Sequence, residues 1–138
     1  MTTRLFEAFA SFGARPRNRL RDRSAIATDG ALVLGCSSPY FRHPGPGVLR
    51  YEDALSRDSI DRTSAALLGE HLTQARDGQL PVRMVVIAEA DFGKPRTRIF
   101  ARHDVIGRVV DFDGDKYAVD FKRLVVEPKA ENNRKKRS

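Results

Sequence analysis

Cysteine, tryptophan, methionine and histidine are scarce in this chain of 138 residues, which has one Cys, no Trp, two Met and three His. The single Cys36 cannot form an internal disulfide, and we expect it to be a buried small apolar residue. The histidines His43, His71 and His103 lie far apart and form neither an H-x-E nor an H-E-x-x-H pattern. These shortages exclude an internal disulfide framework and argue against a zinc site. We expect no metal and no cofactor.

The sequence also lacks a Gly-rich phosphate-binding loop and a long apolar run. Neither G-x-x-x-x-G-K-[ST] nor G-x-G-x-x-G occurs in the sequence. The apolar residues before Gly13 are interrupted by Glu7, and this stretch is too short and too broken for a secretory signal or a membrane span. These features predict a cytoplasmic protein that makes no membrane contact.

Positive charge, in contrast, is abundant and segregated. The chain has a formal net charge of +7, and residues 1–23, 94–108 and 129–138 each carry +4, so the remaining residues carry −5. Such clusters favour an anionic partner, either DNA or RNA or an acidic protein surface. With 41% apolar residues the chain can bury one core, and we expect a single domain over residues 1–128. The sequence does not indicate an oligomeric state.

Apolar spacing predicts two helices, over residues 3–12 and 60–76. On the second helix, His71 falls on the apolar face and is expected to be a hydrogen-bonded core or boundary residue. Residues 37–47 contain three prolines and two glycines, and we expect a loop without regular structure across most of this segment.

Strand patterns occupy most of the remaining chain. Val82 to Ala90 is an almost continuous apolar run rich in β-branched residues, which predicts a central strand covered on both faces. Asp-Gly pairs predict hairpins over residues 24–36 and 105–124, and a two-residue loop in the second would set Asp111 opposite Lys116. Shorter strands are expected at residues 48–51 and 98–101. This order predicts an α+β fold, with a mainly antiparallel curved sheet or partly open small barrel packed by two helices.

Residues 107–121, GRVVDFDGDKYAVDF, resemble the final hairpin of many small barrels, including SH3-like and PUA-like ones that often bind nucleic acids. The similarity covers about fifteen residues and consists mainly of the hairpin pattern, so it indicates no particular family. It implies an SH3-like or PUA-like form for the sheet and favours nucleic acid as the ligand.

An Arg-rich segment, residues 14–23, carries the main functional hypothesis. Pro16 opposes a helix here, and an extended chain would direct the alternating arginines to one side. The planar guanidinium matches phosphate oxygens, and each neutralised phosphate releases counterions. A solvated linker is the alternative, but five arginines without a lysine are an uncommon way to achieve solubility alone. The residues expected to contact phosphate are Arg15, Arg17, Arg19, Arg21 and Arg23.

A second basic group surrounds the short strand that follows the central strand, where binding residues often lie on a rigid scaffold. Within it Arg96 and Arg98 would share one strand face. The alternative is a solvated edge strand whose charge discourages pairing with another edge. The residues of this group are Lys94, Arg96, Arg98, Arg102 and His103.

Two aromatic residues and the C-terminal tail complete the predicted interface. Tyr40 and Phe41 would either stack on unpaired or flipped bases or anchor their loop on the core. Residues 129–138 contain no apolar residue larger than alanine, so we expect a disordered basic tail. In this tail Arg134, Lys135, Lys136 and Arg137 would add electrostatic affinity.

Catalysis has one weak signal, Asp111 followed by Asp120-Phe-Lys122, which resembles the carboxylates and lysine of a metal-dependent nuclease. Strand alternation explains the same pattern, since Tyr117 and alternate residues would point inward and Asp120 and Lys122 outward. We therefore expect a nucleic-acid-binding module that is not an enzyme. The alternatives are a small adaptor or inhibitor that docks on an acidic protein, and the nuclease.

Overall fold

The computed structural model of the protein describes residues 4–18, 22–57, 62–88 and 98–124, which form an open sheet of seven strands and two α-helices. In chain order the elements are α1 (Leu5–Ala10), β1 (Ser24–Ile26), β2 (Leu32–Ser37), a 3-10 helix (Ser38–Tyr40), β3 (Phe41–Gly45), β4 (Val48–Ala54), α2 (Arg62–Gly78), β5 (Val82–Ala88), β6 (Arg98–Phe112) and β7 (Lys116–Arg123).

The strands lie in the order β1-β2-β5-β6-β7-β4-β3. All neighbouring pairs are antiparallel except β2 and β5, which run parallel from Leu32 opposite Val82 to Ser37 opposite Ile87. The predicted α+β class and mainly antiparallel sheet are therefore confirmed. The sheet is open and does not close into a barrel.

Strand β6 joins the two parts of the sheet because it pairs with both β5 and β7. It pairs with β5 from Arg98 to Arg102 and again at Gly107, and it pairs with β7 from Val105 onward. At Gly107 the chains approach closely, since a Cβ there would lie 2.7 Å from both the carbonyl oxygen of Asp120 and the ring of Phe121. The predicted separate strand and hairpin arm are thus one continuous strand of 15 residues.

Apolar residues cover the sheet on both sides. On one side α2 packs over a core that includes Met84 and Val86 of β5, together with Phe121 of β7. On the other side α1 packs over a smaller cluster that includes Val85 of β5 and Phe9 of the helix. Alternate residues of β5 thus belong to different cores, which confirms a central strand covered on both faces.

The segment predicted as a loop, residues 37–47, instead contains the 3-10 helix and the edge strand β3. Proline is tolerated on an edge strand because the missing N–H faces solvent or falls in a bulge. Here Pro44 lies within the register shift between Arg42 and Gly45. Gly47, with a φ of +75°, completes the turn into β4.

The last hairpin also differs from the predicted register. Asp111 lies opposite Ala118, not Lys116, because the turn is longer than two residues. The Asp113 carboxylate accepts hydrogen bonds from the backbone N–H groups of Asp115 and Lys116 at 2.9 and 2.8 Å. These bonds stabilise the longer turn and hold the pKa of Asp113 below its usual value.

Candidate nucleic-acid interface

Three arginines of the Arg-rich segment lie in the described part of the chain. Arg15 and Arg17 are exposed, and no described carboxylate forms an ion pair with either one. Ala14, which precedes them, bridges to Ala27 at the end of β1, so the segment starts along the edge of the sheet. Arg19 and Arg21 lie outside the described residues.

Asp22 anchors this segment to the folded body. Its carboxylate is buried, with 1% of the residue exposed, and accepts a hydrogen bond from the Ser64 hydroxyl of α2 at 2.8 Å. It also accepts one from the Asn18 N–H at 2.8 Å, while its own N–H donates to the Asn18 carbonyl at 3.1 Å. These bonds hold Asn18 next to Asp22, and the prediction that all five arginines point to one side stays a prediction because Arg19 and Arg21 are not described.

The pKa of His71 on α2 is affected by the charge of Arg17. Its Nδ1 lies 2.7 Å from the Ser24 hydroxyl, and the ring is half-buried, as expected for a hydrogen-bonded boundary histidine. Burial lowers the pKa of His71; the charges of Glu70 and Asp22 oppose this, and the charge of Arg17 adds to it. Arg17 therefore lies within electrostatic reach of His71.

This arrangement predicts a pH-dependent stability. Because the folded chain lowers the pKa of His71, the unfolded chain takes up a proton at a higher pH, so the contribution of neutral His71 is fully present above about pH 6.5 and is lost as the pH falls below it. Between about pH 6.5 and pH 5 we expect urea unfolding to show a steeper loss of stability in the parent than in H71Q. The matched control H43Q, at an exposed histidine, should follow the parent. An equal slope in parent and H71Q would contradict the assignment.

Arg23 lies apart from the exposed arginines. It is half-buried, and its side chain passes over Gly35, where its Cδ would lie 3.7 Å from an added Cβ. Its Nη1 is buried and has no hydrogen-bond partner among the described residues. The structure thus brings Arg15 and Arg17 to the surface and sets Arg23 against the sheet.

The first half of β6 presents a second basic surface, here called the β6 face, which consists of Arg98, Phe100 and Arg102. These alternate residues pair with Ala88, Val86 and Met84 of β5, which places them on one side of the strand. Arg98 is exposed and has no carboxylate partner in the described ranges. Phe100 is 38% exposed, and the only other exposed large apolar side chain described is Val110.

Arg102 is held in place by Asp104, two residues further along the same face. The guanidinium donates two hydrogen bonds to the carboxylate at 2.7 and 2.9 Å, and Arg123 lies 3.6 Å from the same group. These contacts, chiefly the hydrogen bond from Arg102, lower the pKa of Asp104 to about 2. Asp104 thus partly offsets the positive charge of the β6 face at neutral pH.

His103, predicted to belong to the same basic group, points to the other side of β6. Its ring lies 4.3 Å from that of Phe12, which follows α1. The Arg83 guanidinium lies 4.8 Å from the Phe12 ring and donates to the His103 carbonyl at 3.1 Å. The structure therefore separates His103 from Arg98 and Arg102.

Tyr40 and Phe41 pack against the core on the α2 side of the sheet. The Tyr40 ring lies under the Arg57 guanidinium at 4.8 Å, and the Phe41 ring lies 5.2 Å from that of Tyr51. Both rings are half-buried. Their geometry favours the anchoring alternative, and their contact with bases stays a prediction.

A buried ion pair connects β4 to the end of β2. Arg57 donates from Nε to Asp53 at 2.8 Å and from Nη2 to the Ser37 hydroxyl at 3.1 Å. Tyr51 donates its hydroxyl to Asp53 at 2.5 Å and accepts the Ser37 N–H at 3.0 Å. Burial raises the pKa of Cys36 nearby, so it stays a neutral thiol. This network fixes the 3-10 helix against the sheet.

A cavity of about 510 Å³ opens beside this ion pair. Its walls include the charged residues Glu52, Asp111 and Lys116, in addition to the Asp53–Arg57 pair. Neither the exposed arginines of the Arg-rich segment nor the β6 face lines it. The cavity is therefore separate from both basic surfaces.

The carboxylate of Asp120 is occupied by a cross-strand partner. Arg50 of β4 donates to both of its oxygens, at 2.6 and 3.0 Å. Tyr117 and alternate residues of β7 are buried while Lys122 is exposed, as strand alternation predicts. Within the described ranges, no three His, Cys, Asp or Glu side chains are grouped so that they could hold a metal ion. The weak nuclease pattern thus gains no support from the geometry.

The remaining predicted site residues, Lys94, Arg96, Arg134, Lys135, Lys136 and Arg137, lie outside the described residues. The helices that are described are all too short or too polar to cross a membrane.

Phe100 is the exposed residue of the β6 face that the sequence interpretation missed. Its signal was the alternation Arg98-Ile-Phe100-Ala-Arg102, in which an aromatic residue stands between two arginines at strand spacing. The arginines were predicted from their charge, whereas the exposure of Phe100 depends on which elements cover β6.

The sequence matches no protein-family model, and neither the curated proteins nor the solved structures contain a significant match.

Proposed function

We propose that the protein binds nucleic acid through phosphate contacts made by its exposed arginines. The observation that carries this proposal is the anchoring of the Arg-rich segment by buried Asp22, which leaves Arg15 and Arg17 exposed and without a described carboxylate partner. A linker that serves only solubility needs no buried anchor. A segment tied to the fold loses less conformational entropy when its arginines bind phosphates.

Charge and side-chain chemistry support the same ligand. The chain carries +7 overall, and the β6 face adds a second basic surface. Arginine binds phosphate through a fixed pair of N–H donors, while a lysine acts as a point charge. Phosphate is also the group that recurs along the whole length of a nucleic acid, so separate basic surfaces can contact one molecule.

The test is fluorescence anisotropy with labelled duplex DNA, single-stranded DNA and single-stranded RNA, between about 0.05 and 0.2 M salt. We expect the logarithm of the binding constant to fall linearly with the logarithm of the salt concentration, by roughly 0.7–0.9 for each phosphate contacted. Polyglutamate, an anion without phosphate, is the control for an acidic protein surface. Failure to bind any of the nucleic acids at low salt, or equally tight binding of polyglutamate, would contradict the proposal.

A further inference from the structure

Phe100 is the third residue of β6, and it is exposed although its large ring is apolar. Its two neighbours in the chain, Ile99 and Ala101, pack against the α1-side cluster, so the strand is held in place without it. Phe100 itself belongs to neither core cluster, although its partner across the strand pair, Val86, is 7% exposed. The ring is thus exposed to solvent, while the strand that carries it is held by the packing of its neighbours.

Within the described part of the chain, the first half of β6 also has an unpaired edge. Strand β7 pairs with β6 only from Val105 onward, and no described strand pairs with residues 98–103 on the side away from β5. Arg98 and Arg102 stand on either side of Phe100, each about 7 Å along the strand. Arg102 is fixed by its two hydrogen bonds to Asp104. An aromatic platform is therefore flanked by two cationic groups on a rigid strand.

We propose that the β6 face binds single-stranded nucleic acid, with one unpaired base stacked on Phe100 and the flanking phosphates bound by Arg98 and Arg102. This inference rests on the proposed function and names its substrate class. In a duplex the faces of the bases are covered by neighbouring base pairs, so a side-chain ring has no face to stack on. In a single strand each base can turn one face to an aromatic ring, whatever its identity.

A tryptophan at the platform gives a direct test, because the chain contains no other tryptophan. In F100W we expect single-stranded RNA or DNA to quench the tryptophan fluorescence by stacking, whereas duplex DNA bound at the same saturation leaves it unchanged. The matched control is V110W, at the other exposed large apolar side chain of the same strand, which should show no quenching with any of the three. Comparison of the RNA and DNA arms shows which single strand is preferred.

Affinity measurements complete the test. F100A should weaken single-strand binding by roughly 5- to 150-fold, the usual effect of removing one stacked base. Duplex affinity and the salt slope should stay as in the parent, and F100Y should restore single-strand binding. D104N, which removes a negative charge beside Arg102, should strengthen single-strand binding and increase its salt dependence.

The outcomes separate this inference from the proposed function. Salt-dependent binding that F100A does not change, or quenching of F100W by duplex and single strand alike, overturns the stacking site and leaves the phosphate contacts standing. Absence of all nucleic-acid binding in the parent overturns both. Quenching confined to V110W would move the single-strand contact to the other end of β6 and overturn the present site.

Discussion

Replacement of Asp53 by alanine is expected to lower the free energy of unfolding by about 3–5 kcal/mol, because it removes the carboxylate that pairs with the largely buried Arg57 guanidinium. The two side chains are only 2% and 13% exposed. Asp53 also accepts hydrogen bonds from the Tyr51 hydroxyl and the Ala54 N–H. One substitution thus removes the acceptor of three donors from the network that joins β4 to β2.

Urea unfolding of D53A and of the control D120A measures this difference. Asp120 also pairs with an arginine on β4, but that pair is 23% and 32% exposed, so removing it should destabilise the fold much less than D53A does. Replacing both partners together, in D53L/R57M, should recover part of the stability because the Arg57 charge is removed together with its Asp53 carboxylate. Equal destabilisation by D53A and D120A would show that burial does not decide the strength of these pairs.

The parts of the fold that could be predicted are those set by local pattern. The run from Val82 contains β-branched residues on both sides of the strand, so it predicts a strand between two cores whatever its neighbours are. The turn at Asp29 and Gly30 fixes the first hairpin within a few residues. Both predictions needed only sequence neighbours, and both are confirmed.

The parts that could not be predicted depend on distant residues. Strand β3 contains Pro44 and forms only because β4 accepts it as an edge with a bulge. The parallel pairing of β2 with β5 joins strands that are separated in sequence by β3, β4 and α2. The register of the last hairpin depends on the Asp113 carboxylate, which binds backbone N–H groups of its own turn. The spacing of apolar residues along the sequence cannot predict these interactions.

The candidate site also has residues that could be predicted from the sequence and residues that could not. Charge clustering predicted the arginines, since charge is visible in composition. It did not predict the role of Asp22, because one acidic residue within a basic run gives no sign of its hydrogen bond to Ser64 of α2. Nor did it predict Phe100, whose exposure follows from the absence of a described strand beside the first half of β6.

Charge reversal in the Arg-rich segment should have the largest effect on binding. In R15E/R17E two exposed arginines become acidic, and we expect no measurable binding of DNA or RNA at about 0.15 M salt, because attraction to phosphate is replaced by repulsion. In R15A/R17A the salt slope should fall by roughly 0.7–0.9 for each phosphate that is no longer neutralised. Anisotropy titrations over the salt series measure both. The melting temperature should change little, since both side chains are exposed.

The matched control is R42E/K122E, which changes the net charge by the same amount at two exposed residues outside both basic surfaces. If the segment binds phosphates, this control should weaken binding far less than R15E/R17E, because counterions are released only where a phosphate is neutralised. The weakening in R15E/R17E should also be similar for duplex and single strand, since phosphate contacts position the ligand without specifying it. Equal weakening by the two charge reversals would assign binding to net charge alone. An R15A/R17A variant that binds with the affinity and salt slope of the parent would remove the segment from the interface.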